Sequence, residues 1–365
     1  MVAQPFCCGR GACNLVTLKD VAKLAGVAPI TVSRVINEPH TVKEQTRSKV
    51  QQAIEQLGYS PNQLARGLAT NQSNMIGVVV SNIANPYYAD YILGIETKAK
   101  QFGKSVVICN GLDYVGAKSN LELLLMQRVD GIIFTSFEFD SIRMQERFIG
   151  ELEQLHFRKN HTVPVVLFNP SPAHTSLPVI QTDNYLDGLI AMRHLLELGH
   201  ARIGHLSLNR DASVWMDRFR AYKDSLLARG LPFRSEYIRL IEKERVKEAE
   251  QGAYQLLQVE ERPTAIFAAN DILAVGVLQA AHRLGIRVPD ELSIIGVDGI
   301  ELAQYSYPSL ASVVHPRYSL GEQSVELLVQ IMSAKKDLPS LIVKSQLHVR
   351  ESTSALRGRG EEEKS

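Results

Sequence analysis

"VTLKDVAKLAGVAPITVSRVIN", residues Val16 to Asn37, decides how the front of this chain folds. Thr17 precedes Leu18-Lys19-Asp20, a Thr-x-x-Asp pattern in which each side chain satisfies the other residue's backbone N–H. Apolar spacing at Val21, Leu24 and Ala25 predicts a short helix running to about Ala25. Gly26 supplies the left-handed turn a helix exit needs, and Val27 plugs the gap between helices. Pro29 suits the first turn of a second helix, where a missing N–H costs nothing. That helix reaches Ile36 or Asn37, with Val32, Val35 and Ile36 inward. Its outer face carries Ile30, Thr31, Ser33, Arg34 and Asn37. A third helix, roughly Glu44–Leu57, turns Val50, Ile54 and Leu57 inward and stops at Gly58.

Three short helices around one small core make a helix-turn-helix module, whose second helix fits the major groove of DNA. Arg34 matches a guanine edge, and Thr31 and Ser33 reach bases or phosphates. Periodicity alone is also consistent with a helical hairpin whose polar face is merely solvated. Charge points the same way as the groove reading. Residues 16–70 hold seven Lys/Arg against four acids, a net +3, while residues 71–365 carry a net −3. A basic module on a mildly acidic body implies an anionic partner for the module alone.

The stretches "TLKDVAKLAGVAPITVSRVIN" and "V..QTRSKVQQAIEQLGYSPNQLARGLA", spanning Thr17 to Ala69, resemble the head of lactose-repressor-type (LacI/GalR family) transcription regulators. The resemblance implies that Thr31, Ser33, Arg34 and Asn37 face a pseudo-palindromic operator, with Thr17 at the DNA, and that the positions of Pro29 and Ile30 select its sequence. Ala28 stands where the family often has Ser or Thr, so the recognition helix lacks a side-chain cap, and Ile30 is expected to meet a thymine methyl. "SPNQLARGLA", Ser60 to Ala69, is short and weakened by Gly67. By resemblance it is a hinge that turns helical on the operator, where Leu68 from each half of a homodimer wedges into the minor groove.

From Met75 onward, short apolar runs alternate with amphipathic helical stretches. The runs are MIGVVV, SVVICN, GIIFTS, VPVVLF, LPVIQT, ARIGHLSL, TAIFAAN, LSIIGVD and ASVVH. Strand-then-helix alternation predicts parallel sheets covered by helices, an α/β architecture. A break at "PSPAHTSLP", residues 170–178, suggests two lobes. The family resemblance extends to about residue 350 and implies a periplasmic-binding-protein-like core of two such lobes. It places chain crossings near 175, 308 and 338, the helix near 318–333 in the first lobe and the last strand in the second. The expected segments are a disordered tail at 1–15, the head at 16–60, a hinge at 61–74, the core at 75–350 and a second disordered tail at 351–365.

Ligands of open α/β sheets bind beyond the carboxyl ends of the strands. Residues there with planar paired donors or acceptors are Asp183, Arg218, Asn270 and Asp298, and Tyr87, Tyr88 and Trp215 add aromatic faces. Together they suit a small carbohydrate effector. Asp183 and Asn270 equally suit helix caps, and Tyr87 a place in the core.

Other classes fit less well. The sequence has no G-x-S-x-G, P-loop, H-E-x-x-H or dinucleotide-binding glycine motif, so an enzyme is not expected, nor a cofactor. Cys7, Cys8 and Cys13 lack C-x-x-C spacing and a nearby His, so no metal site is expected. A transport-type solute-binding protein shares the two-lobed core but needs export and lacks a DNA head. No apolar stretch approaches the ~18 residues of a membrane span, and the first fifteen residues lack a secretory pattern. The expected location is the cytoplasm. The end of the chain has no leucine heptad, which favours a dimer over a tetramer.

Overall fold

The computed structural model describes residues 16–59, 72–111, 113–135, 139, 142–157, 162–170, 175–210, 212–334 and 339–356. Leu68, most of the expected hinge, and the expected tail at 1–15 lie outside the described residues. Two compact units divide the chain between Ser73 and Asn74.

In the head, the three helices are Leu18–Ala25, Pro29–Asn37 and Glu44–Leu57. The Asp20 carboxylate accepts from the Thr17 N–H (2.9 Å) and hydroxyl (2.6 Å), and the hydroxyl accepts from the Asp20 N–H at 3.4 Å. Those bonds hold the exposed Asp20 carboxyl below its usual pKa. Gly26 takes a left-handed φ of 65°, and Ala28 caps the second helix with no side-chain bond. The core is Val21, Ala22, Val32, Val35, Val50 and Ala53, with Leu18, Ala25, Ile36, Ile54 and Leu57 partly buried around it. Leu24, expected inward, is 47% exposed. The buried stripe runs 18, 21, 22, 25, the i, i+3, i+4, i+7 face of a helix, and residue 24 falls off it.

The second unit holds twelve described strands: β1 Met75–Val80, β2 Ser105–Asn110, β3 Gly131–Phe134, β4 Val165–Phe168, β5 Val179–Thr182, β6 Ile203–Leu208, β7 Ile238–Ile241, β8 Ala265–Ala268, β9 Ser293–Asp298, β10 Ala311–Val314, β11 Leu341–Val343 and β12 Gln346–His348. They form two six-stranded sheets of the same order, β11-β5-β4-β3-β1-β2 and β12-β10-β9-β8-β6-β7. Pairing is parallel, as β1 with β2 from Met75↔Ser105 to Val80↔Asn110, except that β12 runs antiparallel to β10. All nine runs read from the sequence are strands. The β7 run, "IRLI", escapes the apolar pattern because Arg239 interrupts it, and β11 and β12 span only three residues each.

The chain crosses between lobes later than the resemblance implied. "LPVIQT" forms β5 of the first sheet, so the first crossing is at Asp183, and the proline-rich break before it only returns the chain to the same sheet. Likewise β10 belongs to the second sheet, which moves the second crossing to 315–316. The third lies at 344–345, between β11 and β12. Helix Arg317–Ala334 packs on helix Tyr87–Gln101 of the first lobe, as expected. Their backbones touch at two glycines. A Cβ on Gly94 would lie 2.1 Å from the Tyr318 carbonyl oxygen, and one on Gly321 would lie 2.1 Å from that of Tyr91.

The expected tail from 351 begins as packed structure. Ser352 is fully buried, its hydroxyl accepting from the Ala311 N–H at 2.8 Å and donating to the Ile294 carbonyl at 2.6 Å. The Leu356 N–H reaches the Leu198 carbonyl, so residues 351–356 seal the second lobe.

Candidate functional site

The recognition helix offers its outer face to solvent. Ile30 is 62% exposed, and Arg34 and Asn37 are exposed beside it. Among the described residues the Arg34 side chain has no hydrogen bond or ion pair, so its guanidinium is unspent; its backbone carbonyl accepts from the Glu38 N–H at 2.7 Å. Asn37 Nδ2 donates to Ser33 Oγ at 3.3 Å, joining two of the expected contact residues. Thr31 and Ser33 are half-buried at the flank, and Thr17 is spent on the helix cap.

Between the two sheets of the second unit lies a cleft of about 740 Å³. Its walls are the residues that follow the strands. Ser81 and Asn82 follow β1, Asn169 follows β4, Asn209 follows β6, and Glu242 opens the loop after β7. Asn270 follows β8, Asp298 ends β9, and His315 follows β10. Six of the seven residues expected from the sequence line it: Tyr87, Tyr88, Trp215, Arg218, Asn270 and Asp298. Asp183 does not. It is exposed, and its Oδ1 accepts from the Leu186 N–H at 2.9 Å, capping helix Asn184–Glu197.

Arg218 is 98% buried, its relative exposure being 2%. Its Nη1 donates to the Ala269 carbonyl at 2.6 Å, and its Nη2 to Asn184 Oδ1 at 3.1 Å and Asp298 Oδ1 at 3.3 Å. Its Nε, equally buried, has no protein partner among the described residues. Asp298 has a φ of 110°, a left-handed conformation that a non-glycine residue adopts at a cost of about 1–3 kcal/mol. Its backbone oxygen is held by Arg317 and by the His315 N–H at 3.3 Å. Behind it, Asp271 accepts from Ser312 Oγ at 2.7 Å and the Ile300 N–H at 2.9 Å. Burial, with the nearby Asp298 charge, pushes the Asp271 carboxyl up to about 7.

Asn270 does two jobs. Its Oδ1 caps helix Asp271–Arg283 through the Leu273 N–H, and its Nδ2 donates to Glu244 Oε1 at 2.6 Å. Asn85 from the first lobe donates to the same oxygen at 3.1 Å, so Glu244 bridges the mouth of the cleft. Glu244, Asn85, Asn169, Asn209 and His315 went unread in the sequence. The signal was available for the last three, each sitting immediately after a strand. Glu244 was hidden because β7 itself was. No group of three or more His, Cys, Asp or Glu among the described residues is arranged to hold a metal.

Comparison with known proteins agrees with both halves of this geometry. Residues 17–62 match the bacterial regulatory proteins of the lacI family, and residues 192–353 match a periplasmic binding protein-like domain. The chain is 34% identical over 323 residues to the ribose operon repressor of Escherichia coli, covering 86% of this chain and 92% of that one. It is 32% identical over 322 residues to the HTH-type transcriptional repressor PurR of Photobacterium profundum, covering 88% and 93%. A solved lac repressor dimer, bound to operator and the anti-inducer ONPF, superimposes with a TM-score of 0.82 at 28% identity, over 93% of this chain and 99% of that one. A helix-turn-helix head with an unspent recognition face and a two-lobed ligand cleft thus come together in one chain, which belongs to the lacI family of DNA-binding, effector-controlled transcriptional regulators.

Proposed function

We propose that this regulator is a cytoplasmic homodimeric repressor whose effector is a small neutral sugar held in the interlobe cleft, and that it is not an enzyme. The observation that carries the sugar assignment is the cleft's amide content. Asn82, Asn85, Asn169, Asn209 and Asn270 all line it. An amide carries a donor and an acceptor side by side, the pattern that adjacent hydroxyls require. Asn85 and Asn270 are tied to Glu244, while among the described residues Asn82 and Asn169 have only their Oδ1 engaged and Asn209 only its Nδ2. Charge supports a neutral ligand. Arg210, Arg218, Lys243 and Arg245 line the cleft against Asp113, Glu242, Glu244 and Asp298, four of each sign. Tyr88 and Trp215 supply apolar faces for a ring. The ribose repressor's name among the relatives agrees with this chemistry.

At the operator, Arg34, Ile30, Thr31, Ser33 and Asn37 read the major groove, Pro29 shapes the start of that helix and Thr17 steadies it. Leu68 from each subunit wedges the minor groove. Sugar binding changes the lobe angle and with it the operator affinity, and by linkage the operator changes sugar affinity by the same factor. A transport role is disfavoured by the head.

The test is thermal melting of the full chain against pentoses, hexoses, their phosphates, and purine bases. At a hundredfold Kd a true ligand adds about 2.7 kcal/mol. A neutral monosaccharide is expected to raise the melting temperature by several degrees. Stabilisation by purines or by sugar phosphates alone contradicts the assignment.

A further inference from the structure

Three chain crossings connect the lobes, and one carboxylate faces all of them. Asp187 sits in the first turn of helix Asn184–Glu197, directly after the first crossing, and is 1% exposed. Its Oδ2 lies 2.9 Å from Nε2 of His315, at the second crossing. Ser345, at the third, lies near enough to lower the Asp187 pKa, although its hydroxyl makes no well-formed hydrogen bond. The other nitrogen of His315, Nδ1, is 3.1 Å from the hydroxyl of Tyr87, on the first-lobe helix that walls the cleft. The two rings meet edge to face, 5.7 Å apart at 90°.

Proton placement is consistent along the chain. Burial pushes the Tyr87 hydroxyl well above its usual pKa, so it keeps its proton and donates. Burial also raises Asp187, but the His315 hydrogen bond and the nearby Arg218 charge bring it below its usual value, so it accepts. An imidazole with its proton on Nε2 satisfies both neighbours at once. The chain therefore runs from second lobe to crossing to first lobe as Asp187, His315, Tyr87. Asp298 Oδ1 lies 3.9 Å from His315 Nδ1, which brings the Arg218–Asp298 pair to the same point. Arg317, two residues further on, adds a second tie by bonding the Asp298 carbonyl and Asp90 of the first lobe.

We propose that Asp187, His315 and Tyr87 are positioning residues that form a buried relay through the pivot and fix the angle between the lobes. A lobe rotation that breaks the relay strands buried polar groups, and each such group is costly. One angle is therefore preferred. Because Tyr87 and Asp298 also line the cleft, whatever occupies it acts on the same groups that set the angle.

The relay is testable without a ligand. In the full chain, Cys7, Cys8 and Cys13 are changed to serine, and spin labels are placed at Met126→Cys in the first lobe and Leu227→Cys in the second, positions 74% and 56% exposed. Dilution with unlabelled protein restricts the readout to distances within one chain. The parent protein is expected to show one narrow interlobe distance. His315→Leu should broaden it and shift it by several ångströms, and His315→Gln, which keeps a donor and an acceptor, should restore most of the narrow population. Tyr87→Phe removes a single oxygen and should also broaden the distribution, which serves if His315→Leu does not fold. Tyr87→Phe combined with His315→Leu should add nothing to His315→Leu. Folded variants that melt lower but keep the parent distance would show that the trio only stabilises the fold, and would overturn the proposal.

Discussion

Replacing Arg218 with alanine is expected to move the operator response to sugar to roughly 10- to 100-fold higher sugar concentration while leaving sequence-specific DNA binding intact. Arg218 meets three elements of the second lobe at once, through the Ala269 carbonyl, Asn184 and Asp298. It is buried, and losing one partner of a buried ion pair leaves the other uncompensated, at about 3–5 kcal/mol. Asp298 is not fully enclosed, its side chain being 11% exposed, so the lower end, about 3 kcal/mol, is the expected loss in urea unfolding. A charge-assisted hydrogen bond to a sugar hydroxyl is worth about 1.5–3 kcal/mol, so sugar affinity should fall roughly 10- to 100-fold. Titration of operator with and without the sugar that melts highest reads the response. An unchanged response in a folded variant removes Arg218 from the effector site.

Arg34→Ala is expected to remove operator specificity with no loss of fold. The residue is exposed, and among the described residues its side chain makes no hydrogen bond or ion pair. A bidentate arginine–guanine pair discriminates by about 1–3 kcal/mol. A dimer presents it twice, so the specific complex should weaken by roughly 2–6 kcal/mol. Non-specific binding at low salt should persist, since phosphate contacts supply it. Specific affinity that survives in Arg34→Ala would move the recognition surface elsewhere on the head.

The head was legible because local signals act within a few residues there. The Thr17–Asp20 box, Gly26 and Pro29 are each decided by backbone chemistry at their own position. Leu24 was misread because three positions fit one helical face and only tertiary packing says which stripe is buried. The core's strands were legible where they were fully apolar, and β7 was not because Arg239 sits in it. The crossings were misplaced because proline punctuates a loop without saying which sheet the chain enters next. Part of the cleft was visible, with Asn270 and Asp298 read as polar residues at strand ends. Glu244 was not, because the strand before it was hidden, nor was the Asp187–His315 contact, whose partners lie 128 residues apart in sequence. Asp183 shows the converse: a carboxylate at a strand end serves as a helix cap when the chain turns there.

The most direct measurement is selection of random duplex DNA on the full chain at moderate salt, with and without the neutral sugars that raise its melting temperature. Enrichment of one short pseudo-palindrome with an easily kinked central step is expected, with a sugar-dependent change in how strongly it is retained, on the order of 5- to 150-fold. Retention of DNA without sequence preference in every condition would contradict that expectation.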